Sequence, residues 1–184
     1  VIASISEGLA YRRDDDFRRI TEIACAESLQ LITLTITEKG YQLNGYDGSY
    51  QDAVVKDLGR DPESDRMSTA MGLVTALLVQ RFHAGATPVA VVSCDNFSHN
   101  GDMLRTSVLT IVAEWEKRGV IDHRVVEWIA EKVEFPISVI DKITPAPSQK
   151  VAEQLASMGF EDMAINLDVE VAGFVNTEPA EYLV

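Results

Sequence analysis

Cysteine, basic side chains and long apolar runs are all scarce in this sequence, and each scarcity removes a class of protein. Only two cysteines occur, Cys25 and Cys94. Two thiols so far apart in the chain make neither a disulfide framework nor a zinc site, and they fit a reducing compartment, the cytoplasm. Lys and Arg total 16 against 29 Asp and Glu, a formal net charge of -13. Such a surface repels a phosphate backbone, which excludes nucleic acid as the expected partner. No run approaches the ~18 apolar residues of a membrane helix, and no signal peptide is visible. There is no G-x-G-x-x-G, no P-loop and no C-x-x-C.

What is present is an ordinary globular composition, 46% hydrophobic and 24% charged over 184 residues. A chain of this length buries roughly 70% of its unfolded surface and reads as one domain, or as one domain with an appendage. It opens "VIASISEG" without methionine and closes "NTEPAEYLV". Both ends read as cuts through something longer.

Periodicity sets the order of elements. "VIASIS" alternates as a short strand does. "DDDFRRITEIACAES" is a helix with an acidic first turn and an apolar face of Phe17, Ile20, Ile23 and Ala24. Leu31, Ile32, Leu34 and Ile36 interleaved with Thr33, Thr35 and Thr37 form the strongest strand signal. "NGYDGSYQDAVVKDLGRDPESD" reads as a turn-rich surface excursion. A helix is expected over 68–84, with Met71, Val74, Leu77 and Leu78 on one face, followed by the buried strand "VAVVSC". "NGDMLRTSVLTIVAEWEKRG" is a long helix stopped by Gly119, and "DHRVVEWIAEKV" is another. "FPISVIDKITPAP" is extended. "PSQKVAEQLASMGF" is a last helix, beginning at Pro147 or Ser148, and "MAINLDVEVAGFV" alternates as one or two strands. Strands alternating with helices give an α/β fold with a largely parallel sheet, whose ligands sit beyond the carboxyl ends of the strands.

Two such ends are rich in chemistry: Thr37-Glu38-Lys39-Gly40-Tyr41 and Cys94-Asp95-Asn96. The carboxamide of Asn96 suits an oxygen that gains negative charge, or else it caps a turn. Asn100, before Gly101 and Asp102, serves as a helix N-cap or opens a helix terminus to an anion. Cys94 with His99 is a conceivable nucleophile and base, without a third orienting group. Asp95, Asn96, Asn100 and Asp102 match no calcium loop. Glu38 and Lys39 are either ligand contacts or a solvated pair. Asp141 either accepts from a ligand hydroxyl or fixes a turn. Trp115 and Trp128 belong to the core by their spacing, and His83 and His123 sit at helix edges.

Three stretches in this order, "LTITEKGY", "VVSCDNFSHNGD" and "FPISVIDKITP", resemble the long-chain mannitol dehydrogenase family, which includes fructuronate and tagaturonate reductases. "FVNTEPAEYLV" resembles that family's TEP-containing segment. The resemblance spans nearly the whole chain. It implies a Rossmann-like domain, mostly parallel sheet with flanking helices, represented here by its second half across residues 1–184. The glycine-rich half, the catalytic lysine and the helical domain that carries it would lie outside. It further implies an oxidoreductase that moves hydride between NAD, with NADP open, and a polyol or sugar acid without a metal. By position Asn96 matches the catalytic oxyanion-hole asparagine. Asn100 and Asp141 fall at the substrate, and Thr37, Glu38 and Ile140 at the cofactor. Ile137, Ile140, Lys142 and Tyr182 depart from the residues usual in the family. "TEKGY", rather than a double-glycine version, leans toward sugar-acid reduction of the mannonate or altronate type over mannitol. The chain alone is expected to be inactive. The rival reading is a non-catalytic binding or regulatory module on the same scaffold.

Overall fold

The computed structural model describes residues 4–85, 87–140, 146–166 and 172–174. The chain divides into two compact units, Val1–Val139 and Ile140–Val184.

In the first unit the carboxylates of Asp14, Asp15 and Asp16 open α1 (Asp14–Ala24) where the helix dipole favours them. After β1 (Leu31–Leu34) and a 3-10 turn (Glu38–Gly40) come α2 (Asp52–Leu58) and α3 (Ala70–His83). Then follow β2 (Ala90–Ser93), α4 (Asn100–Lys117) and α5 (His123–Lys132). The strands are parallel, with Leu31 opposite Ala90 and Leu34 opposite Ser93. On the far side of β2, Glu134 adds a parallel bridge: the Val91 amide donates to its carbonyl at 2.8 Å, and its own amide to Val89 at 3.2 Å. The crossover from β1 to β2 contains α3, and the one from β2 to Glu134 contains α4 and α5. The carboxyl ends of β1 and β2 therefore share one edge, where the Cys94 amide donates to the Leu34 carbonyl at 2.7 Å.

The strand expected through Thr37 keeps only four laddered residues. The Cys94 amide makes the last bond to this strand, and Thr35 to Thr37 follow without a ladder. The Gly40 amide then closes onto the Thr37 carbonyl at 2.7 Å. The expected surface excursion is corrected by α2, which buries Val54, Asp57 and Leu58. The Asp57 carboxylate accepts from the Ser68 and Thr69 amides, the Thr69 hydroxyl and Arg60, so it anchors the start of α3. Trp115 is fully buried on α4 and donates to the Asp57 carbonyl at 3.2 Å.

α3 is buried on more than the one expected face, because α1, α2, α4 and α5 all pack on it. Its Arg81 is 0% exposed. The guanidinium donates to the carbonyls of Ala24, Ala26, Leu29 and Thr87 and to the Thr87 hydroxyl, with no carboxylate partner among the described residues. Burial pushes its pKa down, and the carbonyl cage replaces the lost hydration. This one side chain ties the carboxyl end of α1 to the entry of β2.

The second unit contains α6 (Gln149–Ser157), which buries Ala152 and stops at Gly159 with φ +89°. The expected strand at residues 1–6 falls partly outside the described residues, and Ser4 to Ser6 are not strand. The alternating segment after Asp162 lies largely outside them. Among the described residues no helix is long and apolar enough to cross a membrane.

Candidate active site

The shared strand edge is built by a tyrosine that belongs to one strand end and reaches into the other. Tyr41 closes the Thr-Glu-Lys-Gly turn and is 1% exposed. Its phenol donates to the Asp95 carboxylate and also meets the Ser93 hydroxyl, just beyond and at the end of β2. The phenol, the Ser93 hydroxyl and the Asp95 carboxylate thus form one hydrogen-bonded cluster. Its backbone carbonyl accepts from the Ser107 hydroxyl of α4 at 2.8 Å.

Asp95 is the hub of the second strand end. One oxygen accepts the Tyr41 O–H. The other accepts from the Phe97 amide at 3.0 Å and the Asn100 carboxamide at 3.2 Å. The Phe97 contact spans two residues and makes an Asx turn with Asn96 at its crest. Burial on its own would raise the Asp95 pKa. The hydrogen bonds from Tyr41, Phe97, Asn100 and Ser93 outweigh it and hold the carboxyl below its usual range. Burial and the bond to Asp95 push the Tyr41 phenol up to about 12.

Asn96 is exposed, and among the described residues its carboxamide has no hydrogen-bond partner. Asn100 is its opposite, 0% exposed. It donates to the Asp95 and Ser138 carbonyls, each at 3.0 Å, and accepts from the Ser138 amide at 3.1 Å. The expectation that Asn100 caps the long helix is corrected. His99 holds the cap position in the left-handed region, φ 57°, and Asn100 is the first helical residue. The left-handed turn is how the chain swings from the Asn96 loop into α4. Gly101 permits the close approach of the next segment: a Cβ there would meet the Phe135 carbonyl and lie 2.6 Å from the Pro136 carbonyl. The Ser138 hydroxyl also bonds the Ser93 carbonyl.

Within the first unit, Tyr41, the Asp95–Gly101 loop and the Phe135–Ser138 segment thus interlock. Thr37 and Glu38 are exposed on the same edge, the former entering the 3-10 turn. Ile140 is half exposed and begins the second unit. Asp141 lies outside the described residues. His99 pairs with Asp102 at 3.2 Å, while the Cys94 thiol faces the Val92 carbonyl, so the two do not form the pair considered from sequence. Among the described residues no group of three or more His, Cys, Asp or Glu gathers as a metal site. From sequence Tyr41 is only the last residue of a polar strand end, with no role of its own, and Ser93 and Ser138 are not singled out. The one readable signal was a serine inside an apolar strand.

A family model for the mannitol dehydrogenase Rossmann domain matches residues 2–180. The D-mannonate oxidoreductase of Thermotoga maritima is 43% identical over 188 residues, covering 100% of this chain and 34% of that protein. The polyol:NADP oxidoreductase of Gluconobacter oxydans is 34% identical, covering 73% of this chain and 27% of that one. The Pseudomonas fluorescens mannitol 2-dehydrogenase, solved as a ternary complex with NAD and D-mannitol, superposes with TM-score 0.56 at 30% identity, over 78% of this chain and 28% of that one. The chain spans about a third or less of the length of these relatives.

Proposed function

Given that this chain belongs to the mannitol dehydrogenase family through its Rossmann-type domain, we propose that it forms the nicotinamide-facing half of an oxidoreductase. The reaction would be hydride exchange between NAD and a polyol or sugar acid. Mannonate and altronate type substrates are favoured over mannitol, and the cytoplasm is the proposed compartment. The observation that carries this reading is Asn96: an exposed carboxamide, without a hydrogen-bond partner among the described residues, on the crest of a turn held by the Asp95 carboxylate.

The residues at this edge suit the polar end of such a cofactor. Thr37 and Glu38 offer a hydroxyl and a carboxylate on a strand end laddered to the one that leads to Asn96. When bound, the nicotinamide supplies an acceptor or donor of hydride at the carbinol carbon. The protein's own part is electrostatic. As the carbinol oxygen loses its proton to a base it becomes alkoxide-like, and the Asn96 N–H groups donate to it more strongly in that state than to the neutral hydroxyl. Asp95 does not compete as a base, because its two oxygens are filled by Tyr41, Phe97 and Asn100. Asn100, expected from sequence at the substrate, is proposed instead to hold the loop, because it is buried and its carboxamide bonds Asp95 and Ser138. Asp141 is proposed to accept from a substrate hydroxyl, and Ile140 to flank the cofactor. The base and the glycine-rich cradle for the diphosphate are proposed to come from parts of the full-length protein beyond these residues.

The test is the full-length enzyme with mannonate, altronate, mannitol and arabinitol, each with NAD and NADP. Sugar-acid oxidation with a nicotinamide cofactor is expected. Asn96→Ala should lower turnover at least tenfold, in line with the ~3 kcal/mol typical for one lost oxyanion donor. Wild-type turnover in that variant removes Asn96 from the site.

A further inference from the structure

We propose that Tyr41 is a positioning residue for Asn96: its hydroxyl sets the spacing between the Thr37–Glu38 edge and the turn that presents the carboxamide. This rests on the role of Asn96 given above.

Tyr41 is continuous with one half of the site. Its amide is bound to the Glu38 carbonyl at 3.3 Å, and its own carbonyl is pinned by Ser107 of α4. Its hydroxyl then grips the other half, at Ser93 and Asp95. Asp95 immediately precedes Asn96, and its other oxygen closes the turn through the Phe97 amide. Besides the strand ladder, which ends with the Cys94 amide on the Leu34 carbonyl, the connection from the Glu38 backbone to the Asn96 crest runs through one phenol oxygen and one carboxylate. An oxyanion donor acts within 2.7–3.1 Å of the charge it stabilises, and a misplacement of about 1 Å costs on the order of a hundredfold in rate. A tether of this kind is thus a kinetic device and not only a fold contact. The phenol does not itself exchange a proton with substrate at neutral pH. It is buried, its proton is committed to Asp95, and its pKa is raised to about 12.

The experiment is a double-mutant cycle in the full-length enzyme. Tyr41→Phe keeps the ring and removes one oxygen. Its kcat should fall at least tenfold, while KM for substrate and cofactor stays within about twofold. In an Asn96→Ala background the same substitution should change kcat by less than about twofold, since the group it positions is gone. A wild-type kcat for Tyr41→Phe overturns the proposal, and so does full multiplication of the two effects. If Tyr41→Phe does not yield folded protein by circular dichroism, Asp95→Asn takes its place in the cycle, with the same expected losses and the same two overturning results. The outcomes separate the two readings. A strong Asn96→Ala effect with a silent Tyr41→Phe keeps the site and discards the tether. A silent Asn96→Ala discards both.

Discussion

Asn96 and Asn100 are the same residue type in one loop, yet the fold uses them in opposite ways. Among the described residues the first has no partner at the crest of its turn, and the second is buried with its polar atoms engaged. Residue type and spacing single out both, but only coordinates divide presentation from support. Gly101 is the sharpest single-residue requirement, because the atoms facing its missing side chain are backbone carbonyls of Phe135 and Pro136. Neither can swing aside as a side-chain tip would. Gly101→Ala should therefore cost about 1–3 kcal/mol through displacement of the 135–138 segment. Equilibrium denaturation of the variant measures it, and an unchanged midpoint contradicts the close approach. Tyr41 could not have been assigned a role from sequence, because its partners Ser93 and Asp95 are distant along the chain and no local pattern marks the pairing.

At the scale of elements, the alternation of strand and helix was readable, including the starts and stops set by Asp14, Asp122, Gly119 and Gly159. Two features were not. α2 is short and sits among turn-forming residues, so its Val54 and Leu58 spacing is masked by the glycines and aspartates around it. The ladder of β1 ends with the bond from the Cys94 amide, and no property of Thr35 or Thr37 records that end. α3 illustrates a further limit: a buried arginine reads from sequence as a solvated end of an amphipathic helix. Here Arg81 spans the carboxyl end of α1 and the approach to β2. Arg81→Met would leave several buried carbonyls without donors, at about 1–3 kcal/mol for each that finds no water. A loss of at least about 3 kcal/mol is expected on chemical denaturation. A loss below about 1 kcal/mol shows that the carbonyls are solvated without it.

For the molecule as a whole, the family is legible in three short stretches of sequence, and the described parts of those stretches interlock. Each supplies contacts that another needs: Tyr41 to Asp95, Asn100 to Ser138, and Gly101 to Phe135 and Pro136. The net charge of -13 sets a second constraint, since a phosphate-bearing cofactor must be held against a repulsive background. No glycine-rich cradle is found among the described residues to do so. The 184-residue chain alone is accordingly expected to give no NAD-dependent oxidation of any polyol or sugar acid, whereas such oxidation is proposed for the full-length protein. NADH formation by the purified chain, followed at 340 nm, contradicts that division of labour.

Above all, Asn96 is proposed to act in the chemical step itself. Single-turnover stopped-flow measurement of hydride transfer in full-length Asn96→Ala, with cofactor and sugar acid both saturating, tests this most directly. The expected result is a hydride-transfer rate at least tenfold below that of the unaltered enzyme, with cofactor affinity retained. An unchanged rate with only weakened substrate binding would contradict it.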